Sequence, residues 1–117
     1  MTEDEFERAI VDLATLFGWF AVGHRPARTN QGWRTPFKYD GKGWPDLTLL
    51  HPERGLVVLA EVKLVAGRLS PDQKRWAERL SQLSSNAASV EYALWRPEAA
   101  GEIGRLLSFG RVAEWRV

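Results

Sequence analysis

The sequence predicts a single α/β domain with a central mixed β-sheet flanked by helices. Three observations predict it. Apolar residues recur at helical spacing in some stretches and form alternating or wholly apolar runs in others. The elements follow the order helix, strand, loop, hairpin, helix, strand, helix, which places helices between and around the strands. The chain has 117 residues and is 44% hydrophobic, enough for one core and too little for two. Residues 1–117 are therefore read as one domain, with no internal repeat, low-complexity tract or boundary.

Each element has its own signal. Thr2 followed by Glu5 forms a capping box that starts a helix. Phe6, Ala9, Ile10, Leu13, Leu16 and Phe17 continue it as one apolar face, and Gly18 is its stop. WFAVGHR reads as a short strand. From about Pro26 to Gly43 the chain has prolines and glycines without periodicity, so a long loop is expected. Pro45 opens a strand that continues as LTLL, HPERG is a turn, and LVVLAEVKL is the second arm of a hairpin. Both arms are apolar on both faces and should lie centrally, covered on each side. Ser70, Pro71 and Gln73 supply an N-cap, an N1 proline and the far side of a second capping box. The helix they start should run to about Leu83, with Trp76, Leu80 and Leu83 inward. VEYALWR alternates as a strand. Pro97 opens a short helix carrying Ile103, Leu106 and Leu107 on one face, and VAEWRV is a last short strand.

Composition narrows the class. No apolar stretch approaches the length of a membrane span. The acidic start, MTEDEFERAI, resembles neither a secretory signal nor a transit peptide. The absence of cysteine excludes disulfides and thiolate metal sites and makes the cytoplasm the expected compartment. The net charge of +1 hides an asymmetry. Met1 to Asp12 holds Glu3, Asp4, Glu5, Glu7 and Asp12 against Arg8 alone. Ala21 to Pro45 holds Arg25, Arg28, Arg34, Lys38 and Lys42 against Asp40 alone. A basic segment with Trp33, Phe37 and Tyr39 interleaved suits phosphate contact, a solvated loop being the alternative reading.

The hairpin carries the anomaly. Asp46 opens one apolar run, and Glu61 and Lys63 interrupt the end of the other. Glu61 and Lys63 share a face because strand side chains alternate. If the arms fold about the midpoint of Glu53 and Arg54, Asp46 stands opposite Glu61, with Cβ atoms roughly 5 Å apart. A register shifted by one residue would turn Asp46 to the other face. HPERG also admits a bulged turn, so this register is an assumption. Two carboxylates that close repel by about 3 kcal/mol at an effective dielectric near 20. They must share a proton or hold a cation. Oxygen donors without cysteine or clustered histidine favour Mg²⁺, with Mn²⁺ as a substitute. A hard cation beside the Lys63 amine suits phosphodiester hydrolysis. The alternative is a set of solvated charges at strand ends, which the apolar run before Glu61 disfavours.

Pro45-Asp46 followed by Glu61-Val62-Lys63 resembles the signature of the PD-(D/E)XK nuclease superfamily. Within it the chain is similar to the VRR-NUC family, through Gly43 to Asp46, the Glu61–Lys63 strand, the helix start at Ser70 to Gln73, and Trp95 to Pro97. The resemblance implies a restriction-endonuclease-like three-layer fold and metal-dependent DNA cleavage. Asp46 and Glu61 would be metal ligands, the Val62 carbonyl would complete the shell, and Lys63 would be the catalytic amine. Stand-alone members are similar to Holliday junction resolvases, which implies branched DNA as substrate and a homodimer. The resolvase pattern has a Glu eleven residues before a helix-ending Gly, which selects Glu7 as a further acid. Many family members have Gln there and a Glu one turn earlier, which matches Glu3. Glu7 is preferred, against a solvated acidic first turn that complements the helix dipole. Gln73 recurs near the site in the family, and capping alone also accounts for it. Arg25, Arg28, Arg34, Lys38, Lys42 and Gln73 are the expected nucleic-acid contacts. His24 is read as finishing its strand, and Trp76 and Trp95 as core. The expected function is a structure-selective endonuclease. The alternatives are a binding module that does not cleave, or a nuclease for flaps, single strands or RNA.

Overall fold

A computed structural model describes residues 1–24, 27–29, 32–34 and 38–108. The first helix, α1 (Glu3–Leu16), begins with the expected box. Thr2 Oγ1 accepts the Glu5 N–H at 3.1 Å, and Glu5 Oε1 accepts the Thr2 N–H at 2.9 Å. Two donors that a helix start leaves open are thereby satisfied. Phe6, Ile10 and Ala14 are buried. Leu16 and Phe17 depart from the expected apolar face: Leu16 is 74% exposed and Phe17 lies at the margin. The helix ends at this point, and Gly18, at φ +89°, turns the chain into a conformation that other residues resist.

Strand β1 (Phe20–Gly23) follows. The segment expected as a long loop instead contains a small hairpin, β2 (Ala27–Thr29) paired antiparallel with β3 (Gly32–Arg34), and then a single 3₁₀ turn at Tyr39–Gly41. Strands of three residues are too short for alternation to reveal them. The central hairpin comprises β4 (Leu47–His51) and β5 (Leu56–Val62). Helix α2 (Pro71–Asn86), β6 (Val90–Trp95), a 3₁₀ turn at Pro97–Ala99 and α3 (Ala100–Ser108) complete the described chain. The strand expected at Val112–Val117 lies outside the described residues.

The main sheet has the order β1-β4-β5-β6, antiparallel through β5 and parallel between β5 and β6. It is the mixed sheet that the sequence implies, in an α/β arrangement consistent with a restriction-endonuclease-like fold. On one face, Leu47, Leu49, Val58, Ala60, Val62 and Trp95 pack against Phe6, Ile10 and Ala14 of α1 and Ile103 and Leu107 of α3. On the other face α2 packs along β6. β5 is buried on both faces from Val58 to Val62. β4 is not, which corrects the expectation for that arm. Leu50 is 37% exposed, and Phe20, its partner on β1, is 65% exposed, because α2 lies over the β6 side of the sheet. Within α2, Leu80 is buried, but Leu83, expected inward, is 47% exposed. Among the described residues no helix is long and apolar enough to cross a membrane.

The turn between β4 and β5 is held from several directions. The Arg54 N–H reaches the His51 carbonyl at 3.1 Å and His51 Nδ1 at 3.2 Å, and the Gly55 N–H reaches the Pro52 carbonyl at 3.1 Å. Because Nδ1 accepts, the His51 proton belongs on Nε2, which lies 3.1 Å from the Phe17 carbonyl and donates to it. The Arg54 guanidinium lies over the Trp19 ring at 5.0 Å and donates to the Leu106 carbonyl at 2.7 Å. Trp19 Nε1 in turn donates to the buried Leu107 carbonyl at 3.0 Å. Trp19→Phe keeps an aromatic ring, though a smaller one, and removes the N–H that serves that carbonyl. It should cost about 1–3 kcal/mol, read from the urea unfolding midpoint.

Candidate functional site

The hairpin register pairs Leu47 with Ala60 and runs to His51 with Leu56. It is the register that a fold about Glu53 and Arg54 requires. One step beyond Leu47 and Ala60, Asp46 stands across from Glu61. Asp46 lies just before β4, yet it is fixed on both sides. Its carbonyl accepts the His24 N–H at 2.7 Å, and its Oδ2 accepts the Val62 N–H at 3.0 Å. The carboxylate thus ties the start of one arm to the end of the other. Asp46 is 8% exposed and Glu61 is 1% exposed. Burial this deep is unusual for carboxylates and demands partners.

Glu61 faces away from the core formed by Val58, Ala60 and Val62, toward the α2 side. There its Oε1 accepts from Gln73 Nε2 at 3.2 Å. The orientation of the Gln73 amide is set by the second capping box: its Oε1 accepts the Ser70 N–H at 2.8 Å while Ser70 Oγ accepts the Gln73 N–H at 3.2 Å. With the oxygen committed to Ser70, the amide can present only its NH₂ to Glu61. Capping and contact with Glu61 are therefore parts of one arrangement.

Tyr92 was not foreseen as part of this site. It pairs with Leu59 in the parallel β5–β6 ladder, which puts it on the Glu61 face. Burial pushes its phenol up to about 12, with the Glu61 and Asp46 charges adding to the effect. The hydroxyl therefore stays protonated at neutral pH beside two carboxylates. Its parity with Glu61 depends on a pairing between distant strands, which VEYALWR alone does not reveal. His24 also belongs to this surface. Its Nε2 lies 3.1 Å from Thr48 Oγ1, and burial lowers its pKa against the pull of Asp46. It finishes β1 and adjoins the site.

Lys63 follows β5 and continues its ladder, its N–H donating to the Trp95 carbonyl at 3.0 Å. Glu3 and Glu7 are half-buried on α1, between the exposed Asp4, Glu5 and Arg8. They reach different places. A Cβ on Gly67 would meet Lys63 Cδ at 3.2 Å and Glu3 Oε2 at 3.3 Å, so Glu3 lies beside Lys63. A Cβ on Gly23 would meet Glu7 Oε1 at 3.6 Å, so Glu7 lies at the end of β1, next to the strand end that pairs with Leu47. Among the described residues no three carboxylate or imidazole groups gather closely enough to hold a metal on their own. The donors that fit a hard cation are the oxygen-only pair of Asp46 and Glu61 with the neighbouring main chain.

The basic residues are placed unevenly. Arg25 lies outside the described residues. Arg28 and Arg34 lie in β2 and β3. Lys38 is exposed ahead of the 3₁₀ turn, and Lys42 lies 3.4 Å from Asp72. Trp76, expected in the core, is half-buried in an edge-to-face contact with Trp44 at 4.9 Å, and Trp44 meets His24 at 6.4 Å. Trp95 is core, as expected.

Gly43 shows why a glycine precedes Trp44-Pro45-Asp46. Its φ is +89°, and a Cβ there would lie 2.5 Å from the main-chain carbon of Asp72. The segment leading to Asp46 thus packs directly on the start of α2, which carries Gln73.

Residues 21–92 match the family described as the VRR-NUC domain, a span that includes Asp46, Glu61, Lys63 and Gln73 and leaves α1 outside. No curated protein and no solved structure matches the chain. Gly43→Ala should destabilise by more than about 1 kcal/mol, and by more than Gly55→Ala, whose φ is also positive but whose Cβ would meet nothing within 4 Å. Urea midpoints of the two variants measure the difference, which reports the contact with Asp72.

Proposed function

Since the chain belongs to the VRR-NUC family and is a nuclease-type domain, we propose that it is a metal-dependent DNA endonuclease selective for branched structures. The observation that carries this reading is the pair of buried carboxylates, Asp46 and Glu61, which the hairpin register brings across from one another. Asp46, Glu61 and the Val62 carbonyl would hold Mg²⁺, with Mn²⁺ able to replace it. When bound, such an ion activates water and offsets the charge that develops on a phosphodiester.

The protein's own residues do the remaining work. The Val62 N–H fixes the rotamer of Asp46 by taking one of its oxygens. Gln73 holds Glu61 from the α2 side. Lys63 supplies a cation at the strand end to orient the attacking water or the scissile phosphate. Glu7, beside the end of β1, orders the shell from its rim. Lys38, Lys42 and the arginines of the β2–β3 region attract the phosphate backbone. One site cuts one strand, so symmetric cutting of a junction requires two copies related by a twofold axis, and a homodimer follows from the function.

The test is a labelled four-way junction incubated with protein and Mg²⁺, then with EDTA. Cutting should require the ion. Asp46→Asn retains an oxygen for the Val62 N–H, so fold and DNA binding should persist while cutting falls to the level of the EDTA control. Binding with no metal-dependent cutting by the wild-type protein would favour a binding module. Preference for flaps, single strands or RNA in competition would reassign the substrate.

A further inference from the structure

Tyr39 is the one non-glycine residue with positive φ among the described residues, at +58°, and it is 98% exposed. The two facts conflict if the residue serves only the fold. Left-handed backbone disfavours a tyrosine, and a ring standing wholly in water returns no burial. Such strain persists only where the surroundings enforce it.

The surroundings do enforce it. The Gly41 N–H donates to the Lys38 carbonyl at 3.1 Å, and the Trp44 N–H donates to the Gly41 carbonyl at 3.0 Å. Trp76 Nε1 donates to the Asp40 carbonyl at 3.0 Å. Lys42 pairs with Asp72, and Gly43 abuts the same residue. The ring is therefore projected from a braced turn. The brace also locates it near the site. Trp76 lies one helical turn beyond Gln73, which contacts Glu61, and its ring partner Trp44 is two residues before Asp46. Lys38 and Lys42 flank the ring on the same turn and are both exposed.

We infer that Tyr39 stacks on a nucleobase face left exposed in the DNA, at a branch or in a single strand, with Lys38 and Lys42 contacting the neighbouring phosphates. An aromatic face held in water on a turn that also carries two exposed lysines matches the chemistry of an unstacked nucleotide. In a continuous duplex every base face is already stacked on its neighbours. The turn would thus distinguish branched or single-stranded DNA from duplex, a selectivity that rests on the nucleic-acid reading of the site.

The test measures binding in EDTA, so that cutting is not required. The probes are an oligonucleotide single strand, a four-way junction and a continuous duplex, with 2-aminopurine at the branch of the junction. Tyr39→Leu and Tyr39→Gly should weaken binding to strand and junction five- to twentyfold, change duplex affinity less than twofold, and abolish the quenching of 2-aminopurine. Tyr39→Phe should behave as wild type. Tyr39→Gly should also raise the Tm, since glycine accepts this backbone, which separates loss of binding from loss of fold. Equal weakening on all three DNAs, or no weakening on any, overturns the inference. So does a change in sedimentation with DNA binding intact, which would assign the ring to a contact between copies. Wild-type protein that binds these DNAs but never cuts with Mg²⁺ would refute the nuclease reading and leave Tyr39 standing.

Discussion

The hydrogen bond from the Val62 N–H to the Asp46 carboxylate is the contact on which the site depends. A carboxylate in the interior is costly unless hydrogen-bonded, and a main-chain N–H at the end of a strand is costly if left without an acceptor. Here each answers the other. The bond forms only when the arms pair as they do, so it also selects the register that places Asp46 across from Glu61. Shifting the pairing by one residue would part the two acids onto opposite faces of the sheet and leave Asp46 without this donor. One local interaction therefore fixes the position of two acids.

The second constraint is the packing of the start of α2 against the segment that leads into Asp46. Gly43 lets the main chain meet Asp72, the Trp44 and Trp76 rings meet edge to face, and Gln73 spans from the cap of the helix to Glu61. The helix is thus anchored to both arms of the hairpin through different residues. Rigid elements hold functional side chains more tightly than loops do. Here Asp40 to Trp44, just before β4, are themselves held by a helix, and so inherit some of that rigidity.

What the sequence disclosed and what it withheld follow from the range of the interactions. Both capping boxes and the hairpin arms rest on residues a few positions apart, and these were legible. The register was an assumption, since HPERG also admits a bulged turn, and the structure has the one that a fold about Glu53 and Arg54 requires. The covering of the sheet was not: nothing in LTLL says that α2 lies over β6 and leaves Leu50 exposed beside Phe20. Tyr92 was missed for the same reason, since its place beside Glu61 arises from a parallel pairing across a whole helix. The β2–β3 hairpin escaped because its strands are shorter than any period. For Glu3 and Glu7, helical spacing put both on one line, and only coordinates show that one reaches the end of β1 and the other Lys63.

The turn from Pro52 to Gly55 has a consequence for how this protein tolerates change. Its bonds involve main-chain groups, His51 and the Arg54 guanidinium, while the side chain of Glu53 takes no part in them. Its chemistry is thus partly replaceable, but its length is not. Deleting or inserting one amino acid there would invert the parity of everything downstream on β5, exchanging the acid with the valine beside it. Genetic drift can rewrite Glu53; it cannot alter the length of the loop without dismantling the arrangement at the far end of the hairpin.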